Sequence, residues 1–185
     1  MRAFISVELP DDIKEKIVGI VDTLKEAGQG VKWVEKKNLH ITLKFLGWVP
    51  DEKIDNLKEL VREAAKGHKI FNAKFEELGT FPPGKHPRVV WVGTSKGAEE
   101  LKNIAISLEK SLSKAGYRAE EREFTAHITI GRVKEKKKIG ELVKAIDSNK
   151  NAKFGETVVG EICIMKSTLT PKGPAYEVIE KVKLA

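Results

Sequence analysis

The sequence predicts an α+β protein of two similar lobes, each an antiparallel sheet with helices on its outer face, and three observations carry this. The stretch His40-Ile-Thr-Leu43 returns as His127-Ile-Thr-Ile130, 87 residues later in a chain of 185. A β-α-β-α-β order of periodic segments surrounds each copy. The one Pro/Gly-dense segment, Phe81-Pro-Pro-Gly-Lys-His-Pro87, falls close to mid-chain and reads as the loop between halves. In a strand, side chains alternate between faces. Each motif therefore presents an imidazole and a hydroxyl on one face and two apolar side chains on the other. Two half-sites facing one cleft is the arrangement this implies, within a single domain of two lobes, about 1–80 and 88–185.

In order, Phe4 to Leu9 has the β-branched, partly alternating look of a strand and stops at Pro10. Asp11 and Asp12 suit a helix N-terminus, and Ile13, Ile17, Ile20, Val21 and Leu24 recur at helical spacing until Gly28 and Gly30. Trp33-Val34 reads as a short strand, and the first histidine strand extends from about Leu39 to Leu46, closed by Gly47. Pro50-Asp51 starts a helix with Ile54, Leu57, Leu60, Val61, Ala64 and Ala65 inward, and Ile70 to Leu78 is a strand. After the central loop the order repeats. Arg88 to Val92 is a strand, Leu101, Ile104, Ala105, Leu108 and Leu112 mark a helix, and Phe124 to Ile130 is the second histidine strand. Ile139, Leu142, Val143 and Ile146 predict a shorter helix, with closing strands at Ala152 to Met165 and Ala175 to Val182.

Composition narrows the function classes. No run approaches the length of a membrane span, and the N-terminus turns acidic too early for a secretory signal, so the expected compartment is the cytoplasm. The single cysteine, Cys163, excludes an internal disulfide, cannot alone hold zinc, and reads as a buried small hydrophobe. A net charge of +7 favours an anionic partner, nucleic acid foremost. Abundant Lys and Glu with one Gln is also a thermophile-like composition, in which charge serves surface ion pairs. Lys134-Glu-Lys-Lys-Lys138 reads as a solvated loop or helix start.

His40 and His127 have three readings: acid/base catalysts, metal ligands, or core histidines. A chelating strand would carry a second His or a carboxylate at i+2, and Thr is a poor zinc ligand. Core packing explains either motif and not their repetition. No metal or other cofactor is expected. His68 and His86 lack a Thr partner and read as surface loop residues, while Tyr117, Arg118 and Arg122 precede the second motif and are candidates to line the cleft.

The paired His-x-Thr-x motifs, the opening RAFISVELP and the blocks LHITLKFLG and FTAHITIGR closely resemble the two-histidine (2H) phosphoesterase superfamily. The branch they resemble is the LigT-like RNA 2′,3′-cyclic phosphodiesterases, formerly called 2′-5′ RNA ligases. The likeness spans essentially the whole chain, and the paired motif is its diagnostic part. It implies a pseudo-two-fold axis through a cleft holding both histidines, with His40 the proton donor to the leaving 3′-oxygen and His127 the base on water. Thr42 and Thr129 would donate to the phosphate. The family's second motif often carries an Arg at the position of Arg132, where Gly131 permits a bulge that swings the guanidinium to the phosphate. The corresponding first-half position is Phe45, which reads as a core residue ahead of the alternative, an aromatic platform for a base; Arg88, past the central loop, is a further substrate-contact candidate.

Such chemistry needs a base, an acid and donors to the non-bridging oxygens. Imidazole, titrating near pH 6.5, supplies both proton roles at neutral pH. Three function classes follow. One is hydrolysis of RNA 2′,3′-cyclic ends to 2′-phosphomonoesters; another is 2′-5′ ligation of such an end, in a tRNA half for example, to a 5′-hydroxyl. The third is RNA-end binding with little turnover. The expected partner is RNA with cyclic phosphate ends, tRNA fragments included, and the expected state a monomer.

Overall fold

A computed structural model describes residues 1–135 and 139–185, and among these it contains nine strands and four helices. The order is β1 (Arg2–Glu8), α1 (Asp11–Lys25), β2 (Val31–Trp33), β3 (His40–Trp48), α2 (Ile54–Ala65), β4 (Phe71–Phe81) and β5 (Val89–Thr94). Then come α3 (Ala98–Lys114), β6 (His127–Val133), α4 (Gly140–Ser148), β7 (Lys153–Val159), β8 (Glu161–Thr170) and β9 (Gly173–Lys183). No helix among the described residues is long and apolar enough to cross a membrane.

Hydrogen bonding follows one antiparallel path, β7-β4-β5-β6-β3-β1-β8-β9, with β2 on β6. Between β6 and β3 the path narrows to a single pair, Ile41 with Ile128, so a sheet of five strands, β2 included, and one of four meet at the two histidine strands. The α+β class and its two antiparallel sheets are as expected. The lobe boundaries are not, because the sheets do not follow the halves of the chain. β4, from the first half, lies between β5 and β7, while β8 and β9, from the second, extend the sheet of β1 and β3. The helices cross over as well: α3 packs on β3 and α2 on β9, whereas α1 packs on β7 and α4 on β4.

Helix periodicity maps onto burial. Ile13, Ile17, Val21 and Leu24 of α1, Leu57, Val61 and Ala65 of α2, and Leu101, Ile104, Ala105, Leu108 and Leu112 of α3 are all buried. They join Ile41, Leu43, Ile128 and Ile130 in one continuous core. This core is shared by both sheets and the helices that cover them.

Several expected strand ends move. β3 runs through Gly47, whose φ of 68° lets the chain turn without ending the pairing, to Trp48. β6 starts at His127 and not at Phe124. The segment 152–165 is two strands broken at Gly160. Of the basic run at 134–138, positions 136–138 lie outside the described residues.

Candidate active site

Both histidines lie on the face of the sheets opposite the core, and the register explains how. Antiparallel pairing through Ile41 and Ile128 sets His40 beside Thr129 and Thr42 beside His127. The two half-sites are thus interleaved at the seam, each imidazole next to the other motif's hydroxyl.

The same irregularity interrupts both strands three residues after the histidine. On β3, Thr42 pairs with Ser6 and Lys44 with Ile5, leaving Leu43 as the extra residue. On β6, Thr129 pairs with Trp91 and Gly131 with Val90, leaving Ile130 as the extra one. Each bulge reverses the alternation beyond it. Phe45 therefore returns to the histidine face with Phe4, and Arg132 with Val89. The expected bulge near Gly131 is present, one residue earlier, and Gly131 is required: a Cβ there would stand 2.7 Å from the Trp33 ring and 2.8 Å from Val31.

The price of the first bulge is a lysine on the core face. Lys44 is 2% exposed, and its amine is held by Glu109 of α3 at 2.8 Å and by the carbonyl oxygen of Arg118 at 2.7 Å. That tether fixes the segment leading into His127. Of the cleft-lining candidates in that segment, Tyr117 packs against the core and the exposed Arg118 guanidinium reaches Glu121, while Arg122 is exposed.

The two imidazoles are anchored alike. Nδ1 of His40 lies 2.6 Å from the carbonyl oxygen of Asn38, and Nδ1 of His127 lies 2.7 Å from that of Thr125. A carbonyl only accepts, so each Nδ1 carries its hydrogen and each Nε2 is left for chemistry. In His40 that nitrogen is 2.8 Å from the Thr42 hydroxyl, which donates to it while the ring is neutral. Phe4 and the edge of Tyr176 flank His40, at 5.0 and 5.4 Å between ring centres. Phe81 stands edge-on to His127 at 5.2 Å, backed by Trp91, whose ring lies over Gly79.

Burial is the main influence on both histidines and holds both below the ordinary imidazole value. The carbonyl bonds oppose it, and the Arg132 charge reinforces it at both rings. Among the described residues, only His40 has a carboxylate working the other way. Glu8 is its partner across β1, on the same face and receiving the Ser6 hydroxyl at 2.9 Å. The residue opposite His127 is Gly93.

Of the sequence candidates, His40, Thr42, His127, Thr129, Arg132 and Phe45 share the cleft face. Phe45 is 61% exposed, so it is not a core residue. Arg88 is exposed and lies in the bend that leads into β5, just before its first residue, Val89. His86 is exposed, but His68 is partly buried, with Nε2 2.8 Å from the Ser107 hydroxyl. Cys163 is buried beside Phe4 and Met165, and burial pushes its thiol up to about 11. Sequence reading missed Glu8, Trp91, Phe81 and Tyr176, although strand alternation from Ser6 would have found the first.

A family model of the 2′-5′ RNA ligase superfamily matches residues 9–170. A protein of Archaeoglobus fulgidus named RNA 2′,3′-cyclic phosphodiesterase is 41% identical over 178 residues, covering 96% of this chain and 97% of its own. One of the same name from Methanocaldococcus jannaschii is 40% identical over 181 residues, covering 98% and 99%. A crystal structure of a Thermus thermophilus protein superposes with a TM-score of 0.81 at 28% identity, covering 100% of this chain and 98% of that one. Full-length likeness of this kind, on a chain whose two His-x-Thr strands pair side by side, places the protein in the 2′-5′ RNA ligase superfamily, the two-histidine phosphoesterases.

Proposed function

We propose that this protein hydrolyses RNA 2′,3′-cyclic phosphodiester ends to 2′-phosphomonoesters by two-histidine acid/base catalysis. The observation that carries the reading is the pair of imidazoles with Nδ1 anchored on a carbonyl and Nε2 turned away from it, that of His40 onto the Thr42 hydroxyl, set at one seam beside two hydroxyls. Relatives 34–41% identical to this chain carry the name of that activity.

In the proposed step, water attacks phosphorus and gives its proton to Nε2 of His127 as the P–O3′ bond breaks. Nε2 of His40 gives its proton to the departing 3′-oxygen. The 2′-oxygen keeps the phosphate, and the two imidazoles end with protonation states exchanged, to be reset by solvent. Thr42, Thr129 and Arg132 donate to the non-bridging oxygens, where charge is greatest in the transition state. Phe45 offers an aromatic face to a base. Both half-sites lie on one chain, so we infer monomeric action in the cytoplasm, with tRNA fragments among the substrates.

The test is product analysis on an RNA oligonucleotide ending in a cyclic phosphate, with and without excess 5′-hydroxyl strand. A 2′-phosphate product in both supports hydrolysis. A joined strand would replace it with ligation, and binding without turnover would reduce the protein to an end-binding module.

The strand neighbours support the division of labour between the histidines. A carboxylate beside His40 favours the imidazolium an acid needs; the glycine beside His127 leaves that imidazole without such support. Glu8→Gln is expected to lower the pKa of His40 in an NMR titration and to slow the natural substrate several-fold at neutral pH. A substrate with sulfur as the 3′ leaving atom, which departs without a proton, should be spared. Equal slowing of both substrates would show that Glu8 only holds the strand in shape.

The donor set also bears on metal chemistry. Among the described residues no three His, Cys, Asp or Glu side chains come together in a metal cage. Turnover is expected to survive exhaustive chelation and dialysis unchanged, and loss of activity restored by zinc would overturn the metal-free reading.

A further inference from the structure

Beside Arg132, on the short strand β2, stands Lys32, and the two residues are paired across β2 and β6. Paired residues share a face, so Lys32 lies on the cleft side with the histidines, while its neighbours Val31 and Trp33 pack against the core. Its amine reaches across the cleft mouth. The Nζ stands 3.9 Å from where a Cβ on Gly173 would be, at the start of β9 in the other sheet. Lys172 precedes that glycine in the β8–β9 turn, whose next residue, Pro174, accepts a hydrogen bond at 3.0 Å from Asn38, the residue that also anchors His40. The hairpin turn and the first histidine are thus held together by one residue.

Among the described residues, Lys32, Arg132 and Lys172 have no carboxylate within ion-pair distance. Many other cations do: Lys36 with Asp11 and Glu15, Lys58 with Glu180, Lys74 with Glu76, Lys102 with Glu123. Unpaired cations occur elsewhere on the surface as well. What sets Lys32 apart is its place, directly alongside the arginine assigned to the reacting phosphate and facing the same way. Along β6, Thr129 to Arg132 covers three residue rises shortened by the bulge, roughly 7–10 Å. That is the scale of one nucleotide step, so with the Arg132 guanidinium turned back to the reacting phosphate at the threonines, the next phosphate of the strand falls to Lys32.

We propose that Lys32 is a second phosphate site, taking the internucleotide phosphodiester on the 5′ side of the reacting nucleotide, and that it makes the enzyme selective for polynucleotide ends over cyclic mononucleotides. The inference rests on the reading that the cyclic phosphate lies between His40 and His127. Nothing in the two-histidine chemistry itself distinguishes a free cyclic nucleotide from an RNA end, because the reacting atoms are identical. Discrimination needs a contact one residue away, and Lys32 is the cation positioned to make it. The competing explanation is that Lys32 guards a short edge strand against pairing with other chains, a common use of lysine.

The test compares kcat/KM for a diribonucleotide ending in a 2′,3′-cyclic phosphate with that for adenosine 2′,3′-cyclic monophosphate, over a range of salt. The wild type should prefer the dinucleotide. In Lys32→Ala that preference should fall by roughly three- to tenfold, and in Lys32→Glu further, while Lys32→Arg restores it. The salt dependence of dinucleotide kcat/KM should become shallower by about one phosphate contact, a slope change of roughly 0.7. Equal losses on both substrates would place Lys32 at the cyclic phosphate and overturn the proposal. Unchanged kinetics on both would leave only the edge-strand role. Failure of the wild type to turn over either substrate would strike the reading of the histidine site itself, and this inference with it.

Discussion

His40→Ala and His127→Ala should each lower turnover of an RNA cyclic phosphate by roughly 10²–10⁴-fold, the range of a lost general acid or base. Equal damage would not say which is which; a 3′-thio substrate would. A thiolate leaves without a proton, so that substitution should largely restore His40→Ala and leave His127→Ala inactive. Rescue of His127→Ala instead would reverse the roles, and a 3′-phosphate product would overturn the leaving group. The wild-type pH profile carries a further expectation. One imidazole must be charged and the other neutral, so the rate is bell-shaped, with limbs belonging to the coupled pair. Burial holds both below the ordinary value, so kcat/KM, which reports the free enzyme, should peak below pH 6.5. A bound phosphate anion favours both imidazolium forms, so the kcat optimum should lie higher than that of kcat/KM. An identical optimum for both would mean that the substrate charge does not reach the histidines.

The part of this site readable in the sequence is the part that obeys a short period. His40 with Thr42, and His127 with Thr129, needed only the alternation of a strand to be placed on one face. The four helices followed from equally local spacing, and every buried position of α1 to α4 is among those expected, while Ile20, Ile54, Leu60, Ala64 and Val143 are only partly buried. Pairing across the chain was not local. β8 joins β1 from more than 150 residues away, and nothing in Ile162 or Ile164 distinguishes a strand that returns to the first sheet from one that stays with the second. The bulges were half visible. Gly131 marked one of them, but Leu43 and Ile130 are ordinary core residues whose extra place in the register depends on what pairs opposite. Lys44 shows the same limit: beside Phe45 it reads as the solvated half of an alternating pair, and only the bulge turns it inward to Glu109. Arg88 was argued from proximity to a loop alone, and it lies in the bend before β5, where no strand period sets the direction of its side chain.

The threonines give the second large effect, and the structure makes their two positions unequal. Thr42→Val and Thr129→Val each remove a hydroxyl while keeping the β-branched shape, so the strands should hold and the rate should fall by roughly ten- to a thousandfold, as for one transition-state donor. In the free enzyme, however, the Thr42 hydroxyl is engaged with Nε2 of His40, a bond only the neutral imidazole can accept. The Thr42 hydroxyl reaches a phosphate oxygen only by releasing that nitrogen, and the released nitrogen is then free to hold the proton it later gives to the leaving oxygen. Substrate binding would thus arm the acid by drawing Thr42 away from it. No such bond ties Thr129 to His127 among the described residues. Thr129→Val should therefore keep the wild-type pH profile at a lower rate. Thr42→Val should displace the limb belonging to His40 upward, because the neutral ring loses its donor, and should lose rate as well. A limb that vanishes in either variant would mean that the hydroxyl itself transfers a proton. Unchanged profiles in both would mean that the resting bond to His40 has no part in the protonation of the acid.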